Sequence, residues 1–415
     1  MSQSTIIMGG GLSGLTCGIA LAKQGHAVTI LAGGLSTLLF NGGSMELLGA
    51  IDGQPVTSPL QAVSTLPASH PYSKIGHQRI ASLADQARTL LDDAGIGMTG
   101  DAAANHWRIS PMGVAKPAWL TLNEYFKIDD INNISVNKLY IMAVRGYFDQ
   151  PNGMLAQGLR QLGFDVEVVE FTTSDITALR RSPTEMRSTT LAKRLQGSSA
   201  LHRIAEQINS LATGAGIVLF PAILGQHDDD SIRTLQSLVN KPLKLVATLP
   251  PATSGMRIHA QLMHYFMMLG GAYIAGEPAV SGVIEDGKLL GIKTAKPGSS
   301  PYKADNYVLA TGSFVSRGLT ANHNGIHETV LDLDIDADPD REQWTRFGVM
   351  QPQAYWTYGV TTDEHLRCFK QGKPISNLHA IGSILSGHNA IKMGDGTGVS
   401  MLTALAVAQD IIDGK

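Results

Sequence analysis

The sequence predicts an α/β fold in which a parallel sheet is interrupted by an inserted α/β lobe. The chain opens on a short apolar strand that runs into a glycine-rich turn and then an apolar helix. Beyond residue 255, a helix and short strands lead to a buried strand, and a glycine-rich segment precedes a closing apolar helix. The residues between, 51–254, alternate strand-like and helical patterns. Such alternation is typical of parallel sheets covered by helices.

The first turn reads Gly9-Gly10-Gly11-Leu12-Ser13-Gly14 and directly follows the strand Ile6-Ile7-Met8. In this Gly-x-Gly-x-x-Gly pattern, Gly9 permits a sharp turn, Gly11 leaves room for a phosphate, and Gly14 lets the helix pack closely on the sheet. The free N–H groups at the helix start then face an anion. Because a helix and a second strand (27–31) follow, a Rossmann-like phosphate site within residues 4–24 is favoured over a turn that binds nothing.

The second strand lacks the acidic residue that usually binds a ribose hydroxyl in dinucleotide sites. Ala32 stands at that place and is followed by Gly33 and Gly34. This argues against ordinary NAD binding and leaves the adenosine half of FAD an open question.

Composition excludes several functional classes. Of 415 residues, 43% are hydrophobic and 16% are charged, which fits a globular chain. The net charge is −3, and no basic run indicates a nucleic-acid or membrane-surface partner. Cys17 and Cys368 are too few to ligate an iron–sulfur cluster or a Cys₄ zinc site, and they fit a reducing compartment. We expect Cys17 in the core, no signal peptide and no direct membrane span.

A loop rich in small residues follows the second strand and includes Ser36, Gly42, Gly43 and Ser44. Such a loop can pass close to a flat ring. A plain turn at Asn41-Gly42 explains the same residues equally well.

The remaining pattern predicts two lobes. Helical periodicity covers about 80–94, and strand-like runs cover 138–144, 166–171, 217–220 and 243–249. From Gly255, a helix is followed by a three-stranded meander with a hairpin at Asp286-Gly287, and then by a buried strand ending in Thr311-Gly312. This order is typical of flavoprotein nucleotide domains after an insertion. We therefore expect a flavin/nucleotide-binding domain from 1–50, 255–312 and 376–415, with Thr311 and Gly312 at its site. A cap, substrate or interaction lobe would comprise 51–254 and 313–375.

The tail adds a second glycine-rich approach to a helix. Gly382 and Ser383 precede Gly394, Gly396 and Gly398, and an apolar helix follows over 400–412. N–H groups at such a helix start would stabilise the negative charge of a reduced flavin. The alternative is a helix start that only packs.

Several stretches together resemble the fumarate-reductase-like flavoproteins: the first turn, Ala310-Thr311-Gly312-Ser313-Phe314, and residues 359–398. Three further stretches narrow the resemblance to the B-subunit family of anaerobic glycerol-3-phosphate dehydrogenases: 248–257, 311–314 and 347–363. The resemblance runs over nearly the whole chain, with 51–245 its least distinctive part.

The resemblance implies a flavoprotein subunit that works in oxidising sn-glycerol 3-phosphate to dihydroxyacetone phosphate, with electrons passed to a quinone. It implies FMN as the cofactor, with FAD as the alternative. It also implies two partners: an FAD-bearing catalytic A subunit, and an iron–sulfur C subunit that holds the pair on the cytoplasmic face of the bacterial inner membrane. A stand-alone flavin oxidoreductase and a flavin-less assembly scaffold are the competing hypotheses.

Oxidation of a secondary alcohol that carries a phosphate needs a base and a cation. Arg257 and His388 are the candidates. A helix-surface salt bridge explains Arg257 equally well, and a solvent-exposed or structural histidine explains His388 better. His323 and His327 are spaced like a metal pair on a helix, but Asn324-Gly325 would break that helix. We expect no metal site.

Overall fold

The computed structural model describes residues 3–134, 138–180 and 186–415. Within them the helices are α1 (Leu12–Lys23), α2 (Pro59–Ala62), α3 (Pro71–Lys74), α4 (Ile80–Asp93), α5 (Asn152–Gln161), α6 (Ser174–Leu179), α7 (Ser188–Arg194), α8 (Ser198–Leu211), α9 (Asp230–Leu238), α10 (Thr253–Met268), α11 (Ala390–Met393) and α12 (Gly396–Asp413). The strands of the same residues are β1 (Ser4–Met8), β2 (Ala27–Ala32), β3 (Ser44–Met45), β4 (Ala50–Ile51), β5 (Gln54–Pro55), β6 (Met98–Thr99), β7 (His106–Ile109), β8 (Ala115–Ala118), β9 (Leu120–Leu122), β10 (Lys127–Ile128), β11 (Lys138–Val144), β12 (Asp165–Phe171), β13 (Ile217–Pro221), β14 (Leu243–Val246), β15 (Ala272–Ala275), β16 (Ala279–Glu285), β17 (Lys288–Thr294), β18 (Asn306–Leu309), β19 (Leu319–Asn322), β20 (Gly325–Glu328), β21 (Ile335–Asp336), β22 (Gly359–Val360), β23 (Arg367–Lys370) and β24 (Lys373–Ala380).

The larger sheet has six strands in the order β15-β2-β1-β18-β24-β23. Its strands run parallel except for β23, which pairs antiparallel with β24. Chain segments that are distant in sequence thus form one sheet: Ile7 lies between Ile30 and Val308 in register. These pairings join strands from the three segments predicted to form the flavin/nucleotide-binding domain, and the division of the chain into that domain and a second lobe remains a prediction. The antiparallel edge strand β23 lies before residue 376, so the sheet also takes residues from outside those three segments.

The central strands β1 and β18 are almost fully buried, and apolar helices pack over the sheet. Leu15, Cys17 and Ile19 of α1 are fully buried, as are Val399 and Leu402 of α12. The prediction that Cys17 is a core residue is confirmed, and burial raises the pKa of its thiol to about 12.

The predicted three-stranded meander was wrong in one respect. Strand β15 joins the large sheet beside β2, while β16 and β17 form a separate two-stranded sheet. The strand that follows α10 pairs with the edge of the parallel sheet, because its backbone N–H and C=O groups form hydrogen bonds with β2 there. The hairpin itself is as predicted, with Asp286 and Gly287 at φ of +49° and +71°, as a type I′ turn requires.

The inserted lobe contains a second, fully parallel sheet in the order β12-β11-β13-β14. The four strand-like runs predicted between residues 138 and 249 are these strands, although β14 ends at Val246. Helix α4 covers the predicted 80–94.

Two expectations concerned a metal site at His323 and His327 and a membrane-spanning helix, both of which the sequence argued against. His323 lies in the turn between β19 and β20, which pair as a hairpin that places His327 on a strand, so the two histidines do not share a helix. Among the described residues, no group of three or more His, Cys, Asp or Glu side chains is placed to bind a metal ion. In the same part of the chain, no helix combines the length and apolar character needed to cross a bilayer.

Candidate functional site

A cavity of about 840 Å³ lies at the carboxyl edge of β1, β2 and β18. Its volume is in the range of small-molecule and cofactor sites. Several residues predicted to bind the cofactor line it: Gly9, Gly10, Gly11, Leu12, Ser13, Ser36, Thr311, Gly312 and Ser383. Residues 278–280 and 315–317 complete the opposite side.

The glycines of the first turn differ in what surrounds them. Gly9 has φ +124°, and a side chain there would collide with the carbonyl of Ala310. A methyl on Gly14 would collide with the carbonyl of Gly9 and would lie 3.3 Å from Ile7 of β1. Gly11 is open, because a methyl there would meet only Ser36 Oγ, at 3.5 Å. Gly9 and Gly14 are thus required by the fold, whereas Gly11 leaves free space beside the cavity.

The start of α1 fits an anion. Its N-cap, Gly11, provides no side-chain hydrogen bond, and the first turn contains no acidic residue that would repel a phosphate. Thr311, which adjoins Gly9, also lines the cavity, and its Oγ1 is buried without a hydrogen-bond partner within the described structure. A ligand with phosphate and hydroxyl groups would bind both the N–H groups at the start of α1 and the Thr311 hydroxyl.

Two side chains form hydrogen bonds with the carbonyl oxygen of Gly10. His259 Nε2 donates to it at 3.0 Å, and the Tyr273 hydroxyl donates to it at 3.4 Å. Burial lowers the pKa of His259, which keeps its ring neutral. Neither side chain was predicted, because nothing in the local sequence relates residues 259 and 273 to the first turn.

Gly42, Gly43 and Ser44 do not line the large cavity. Gly43 packs against the ring of Tyr125, and a methyl on Gly42 would lie 3.1 Å from Ala247 Cβ. Ser44 accepts a hydrogen bond of 2.9 Å from Thr121, whose hydroxyl lies 2.6 Å from His106 Nε2. The loop therefore joins the inserted lobe to the large sheet, and its approach to a flavin ring remains a prediction.

The second glycine-rich turn is packed against protein. Gly394 is the left-handed C-cap of α11, a methyl on Gly396 would lie 3.0 Å from Ala390 Cβ, and one on Gly398 would collide with Tyr72. Ser400, one turn further along α12, lines the cavity. A methyl on Gly382 would lie 2.7 Å from Ser13 Oγ, next to the first turn. The role of the Gly394–Gly398 turn toward a cofactor remains a prediction.

His388 belongs to a buried cluster around Asp395. The Asp395 carboxylate accepts hydrogen bonds from His388 Nδ1 at 3.2 Å and from His70 Nε2 at 3.0 Å. All three side chains are almost fully buried. Burial alone would raise the pKa of Asp395, but the two histidines lower it below its usual range. His388 does not line the large cavity, so its catalytic role remains a prediction.

Arg257 is also buried and paired. Its guanidinium forms an ion pair with Glu124, and Nη1 has no hydrogen-bond partner within the described residues. That nitrogen would lie 2.8 Å from a methyl placed on Gly225, in the loop after β13. Arg257 is thus not the surface salt bridge that formed the alternative. Its free arm suits an anion, but it lies outside the large cavity.

Known proteins resemble this chain over nearly its whole length. The family model described as an FAD binding domain matches residues 4–399. The B subunit of the anaerobic glycerol-3-phosphate dehydrogenase of Yersinia pestis bv. Antiqua is 36% identical and covers 99% of this chain and 98% of its own length. The protein of the same name from Pectobacterium atrosepticum is 34% identical, with 99% of each covered. The chain belongs to the anaerobic glycerol-3-phosphate dehydrogenase B-subunit family.

This family membership confirms two predictions from the sequence: the family resemblance and the flavoprotein fold. Among solved structures, a 3-ketosteroid delta1-dehydrogenase from Sterolibacterium denitrificans is similar at 12% identity and a TM-score of 0.45, with both chains fully covered. The cofactor of this B-subunit family member is a flavin. The family match is to an FAD binding domain, so it favours FAD, the alternative expectation, and does not support FMN.

Proposed function

We propose that this chain is the flavin-containing B subunit of a respiratory, quinone-dependent glycerol-3-phosphate dehydrogenase. The complex would oxidise sn-glycerol 3-phosphate to dihydroxyacetone phosphate and reduce a quinone. The observation that carries the proposal is the near-full-length identity of 36% to relatives with that name. The glycine-lined cavity beside α1 supplies the matching site.

We propose FAD as the bound cofactor. The N–H groups at the start of α1 would hold its diphosphate, and Thr311 Oγ1 would accept or donate a hydrogen bond that it lacks among the described residues. When bound, FAD supplies reversible two-electron chemistry. The start of α12, one turn before Ser400, carries partial positive charge and would stabilise the negative charge of the reduced flavin ring.

The relatives are named as B subunits, which implies that the dehydrogenase has further subunits. We propose an FAD-bearing A subunit that carries the catalysis, and an iron–sulfur C subunit that holds the pair at the cytoplasmic face of the inner membrane. Two cysteines cannot ligate an iron–sulfur cluster, so electrons would leave this chain for a partner. Arg257 and His388 remain candidate catalytic residues, and the division into two lobes remains part of the proposal.

The experiment has two measurements on the purified chain. Released flavin is identified by chromatography after denaturation, with FAD expected. Oxidation of glycerol 3-phosphate with a soluble dye acceptor is then measured for the chain alone and after adding the two partner subunits. We expect activity only in the assembled complex.

The competing functions are distinguished by the same assay. Turnover by the isolated chain at a rate comparable to the complex would contradict the relay role and favour a stand-alone flavin oxidoreductase. A chain that binds no flavin, yet is needed for assembly, would favour a scaffold.

A further inference from the structure

One surface loop presents large apolar side chains to solvent. It comprises residues 344–353 and is called the apolar loop below. Phe347, Val349 and Met350 are each at least 82% exposed. Lys392 Nζ donates a hydrogen bond of 3.4 Å to the Met350 carbonyl, which brings α11 and its exposed Ile391 next to the loop. Monomeric proteins rarely leave such a cluster in water, and one of this kind marks an interaction site.

The backbone of the apolar loop is held in one conformation by two amide side chains. Gln353 Oε1 accepts a hydrogen bond of 2.7 Å from the Arg346 N–H, and Gln353 Nε2 donates to the Gly348 carbonyl at 2.9 Å. Gln351 Oε1 accepts a further bond from the Gly348 N–H at 3.3 Å. These bonds fix the shape of the loop around Phe347 in the chain by itself. A preorganised loop loses little conformational entropy on binding a partner.

The base of the loop connects it to the wall of the large cavity. The Trp344 carbonyl accepts a hydrogen bond of 3.1 Å from the Tyr355 N–H. The ring of Tyr355 meets the ring of Phe314 edge-on, with 6.0 Å between their centroids. Phe314 directly precedes Val315, which lines the cavity. A protein bound at the apolar loop would therefore dock beside the wall of the proposed cofactor site.

The sequence around the apolar loop is acidic. Residues 332–350 contain six acidic and two basic side chains and so carry a net charge of −4, whereas the whole chain carries −3. Asp336, Asp338 and Glu342 are exposed. Trp344 Nε1 donates to the Asp338 carbonyl at 2.7 Å, which joins this acidic stretch to the base of the loop. The negative charge disfavours an anionic lipid surface and a second copy of the same face. It favours a protein partner with basic residues around an apolar socket.

We propose that the apolar loop, together with Ile391, is the docking surface for another subunit of the dehydrogenase. That subunit presents an apolar socket bordered by basic residues. The inference rests on the proposed function, which supplies such subunits. A few side chains at the centre of an interface carry most of its binding energy, and aromatic residues and methionine are enriched there. The charges around them steer the approach of the partner.

The test removes the apolar contacts with the double variant Phe347→Ala/Met350→Ala. Phe148→Ala/Met268→Ala is the matched control, because it removes the same two side chains from exposed positions elsewhere. Phe148 is 85% exposed after β11, and Met268 is 71% exposed at the end of α10. Affinity of the flavin-loaded chain for each purified partner subunit is measured by biolayer interferometry at low and high salt. Flavin content and urea unfolding are measured in parallel.

We expect Phe347→Ala/Met350→Ala to weaken binding of a partner subunit at least about thirtyfold. Its flavin content and stability should equal those of the wild type, because both side chains are exposed and neither lines the large cavity. The control variant should bind within about fivefold of the wild type. Asp336→Asn/Glu342→Gln should slow association and reduce its salt dependence, because it removes two charges of the acidic stretch.

Several results would overturn the inference. One is equal affinity of the wild type and Phe347→Ala/Met350→Ala for both partner subunits. Another is binding to phosphatidylglycerol vesicles, or dimerisation of the chain alone, that the same variant abolishes, since the loop would then serve a membrane or a second copy. Loss of flavin or of stability in that variant would show that the side chains serve the fold.

Failure of this inference is distinguishable from failure of the proposed function. If the variant supports oxidation of glycerol 3-phosphate by the complex at the same chain concentration as the wild type, the proposed function stands and only the docking surface is wrong. If the wild-type chain binds neither subunit and gains no turnover from them, both proposals fail.

Discussion

Replacing Gly11 with valine separates ligand binding from folding. Gly11 is the N-cap of α1, with φ −84° and ψ −167°, a conformation that any residue adopts. Its surroundings leave room for a side chain up to Ser36 Oγ. The change in unfolding free energy is therefore expected to stay within about 1 kcal/mol, since the loss of a glycine cap and the reduced entropy of the unfolded chain oppose each other.

The same side chain would fill the space that a phosphate needs. Losing two hydrogen bonds from backbone N–H groups to a charged phosphate costs about 3–6 kcal/mol, which is at least a hundredfold in affinity. The assay is the amount of flavin bound per chain, from its visible absorbance, with urea unfolding measured in parallel. We expect Gly11→Val to fold and to lose its flavin.

Two controls make the result specific. Gly197 is the N-cap of α8, with φ −70° and open space around it, outside the cavity. Gly197→Val should retain full flavin. Gly14→Ala should destabilise the fold itself, because its methyl would collide with the Gly9 carbonyl. Full flavin content in Gly11→Val would refute the placement of the phosphate at this turn.

Two further predictions concern buried titratable and charged groups. Both ring nitrogens of His379 in β24 are buried without a partner within the described structure, and burial lowers its pKa to about 4. An unfolded histidine titrates near pH 6.5, so the stability that His379 provides is complete above that pH and is lost as the pH falls toward 4. Between pH 7 and 5 the loss is about 2 kcal/mol. Urea unfolding of His379→Leu should show a pH dependence smaller by that amount, and an equal dependence would contradict the argument. Arg257→Met should destabilise the protein by about 3–5 kcal/mol, because it leaves Glu124 buried and unpaired. Adding Glu124→Gln should restore much of the loss, and a double variant as unstable as the single one would show that the ion pair is not the cause.

Local patterns were sufficient to predict most elements of the fold. The strand, glycine turn and helix at residues 4–23, the helix after residue 253 and the hairpin at Asp286-Gly287 all depend on residues close in sequence. The pairing of β15 was not predictable in this way, because it depends on an open sheet edge formed by β2, some 240 residues earlier. Periodicity shows that a strand exists but does not identify its neighbour.

In the candidate site, too, local patterns were predictable and long-range contacts were not. The glycine turn and Thr311-Gly312 were predicted because each follows a strand of the large sheet, and the carboxyl ends of parallel strands meet at one edge. The residues that hold Arg257 and His388 were not predicted. Glu124 is separated from Arg257 by 133 positions. Asp395 lies seven positions after His388, but His70, which binds the same carboxylate, lies 325 positions before it.

Those long-range contacts determine how the inserted lobe meets the larger sheet. His70 and Glu124 both come from the insertion, and they bind Asp395 at the start of α12 and Arg257 in α10. Tyr125, next to Glu124, packs against Gly43 in the loop that follows β2. Removing one partner from a buried charged pair leaves an uncompensated charge and destabilises the fold. The insertion thus contacts α10 and α12 through buried charged groups as well as through a shared apolar core. A change in either cluster should alter flavin binding through the position of the loop, even though neither cluster lines the large cavity.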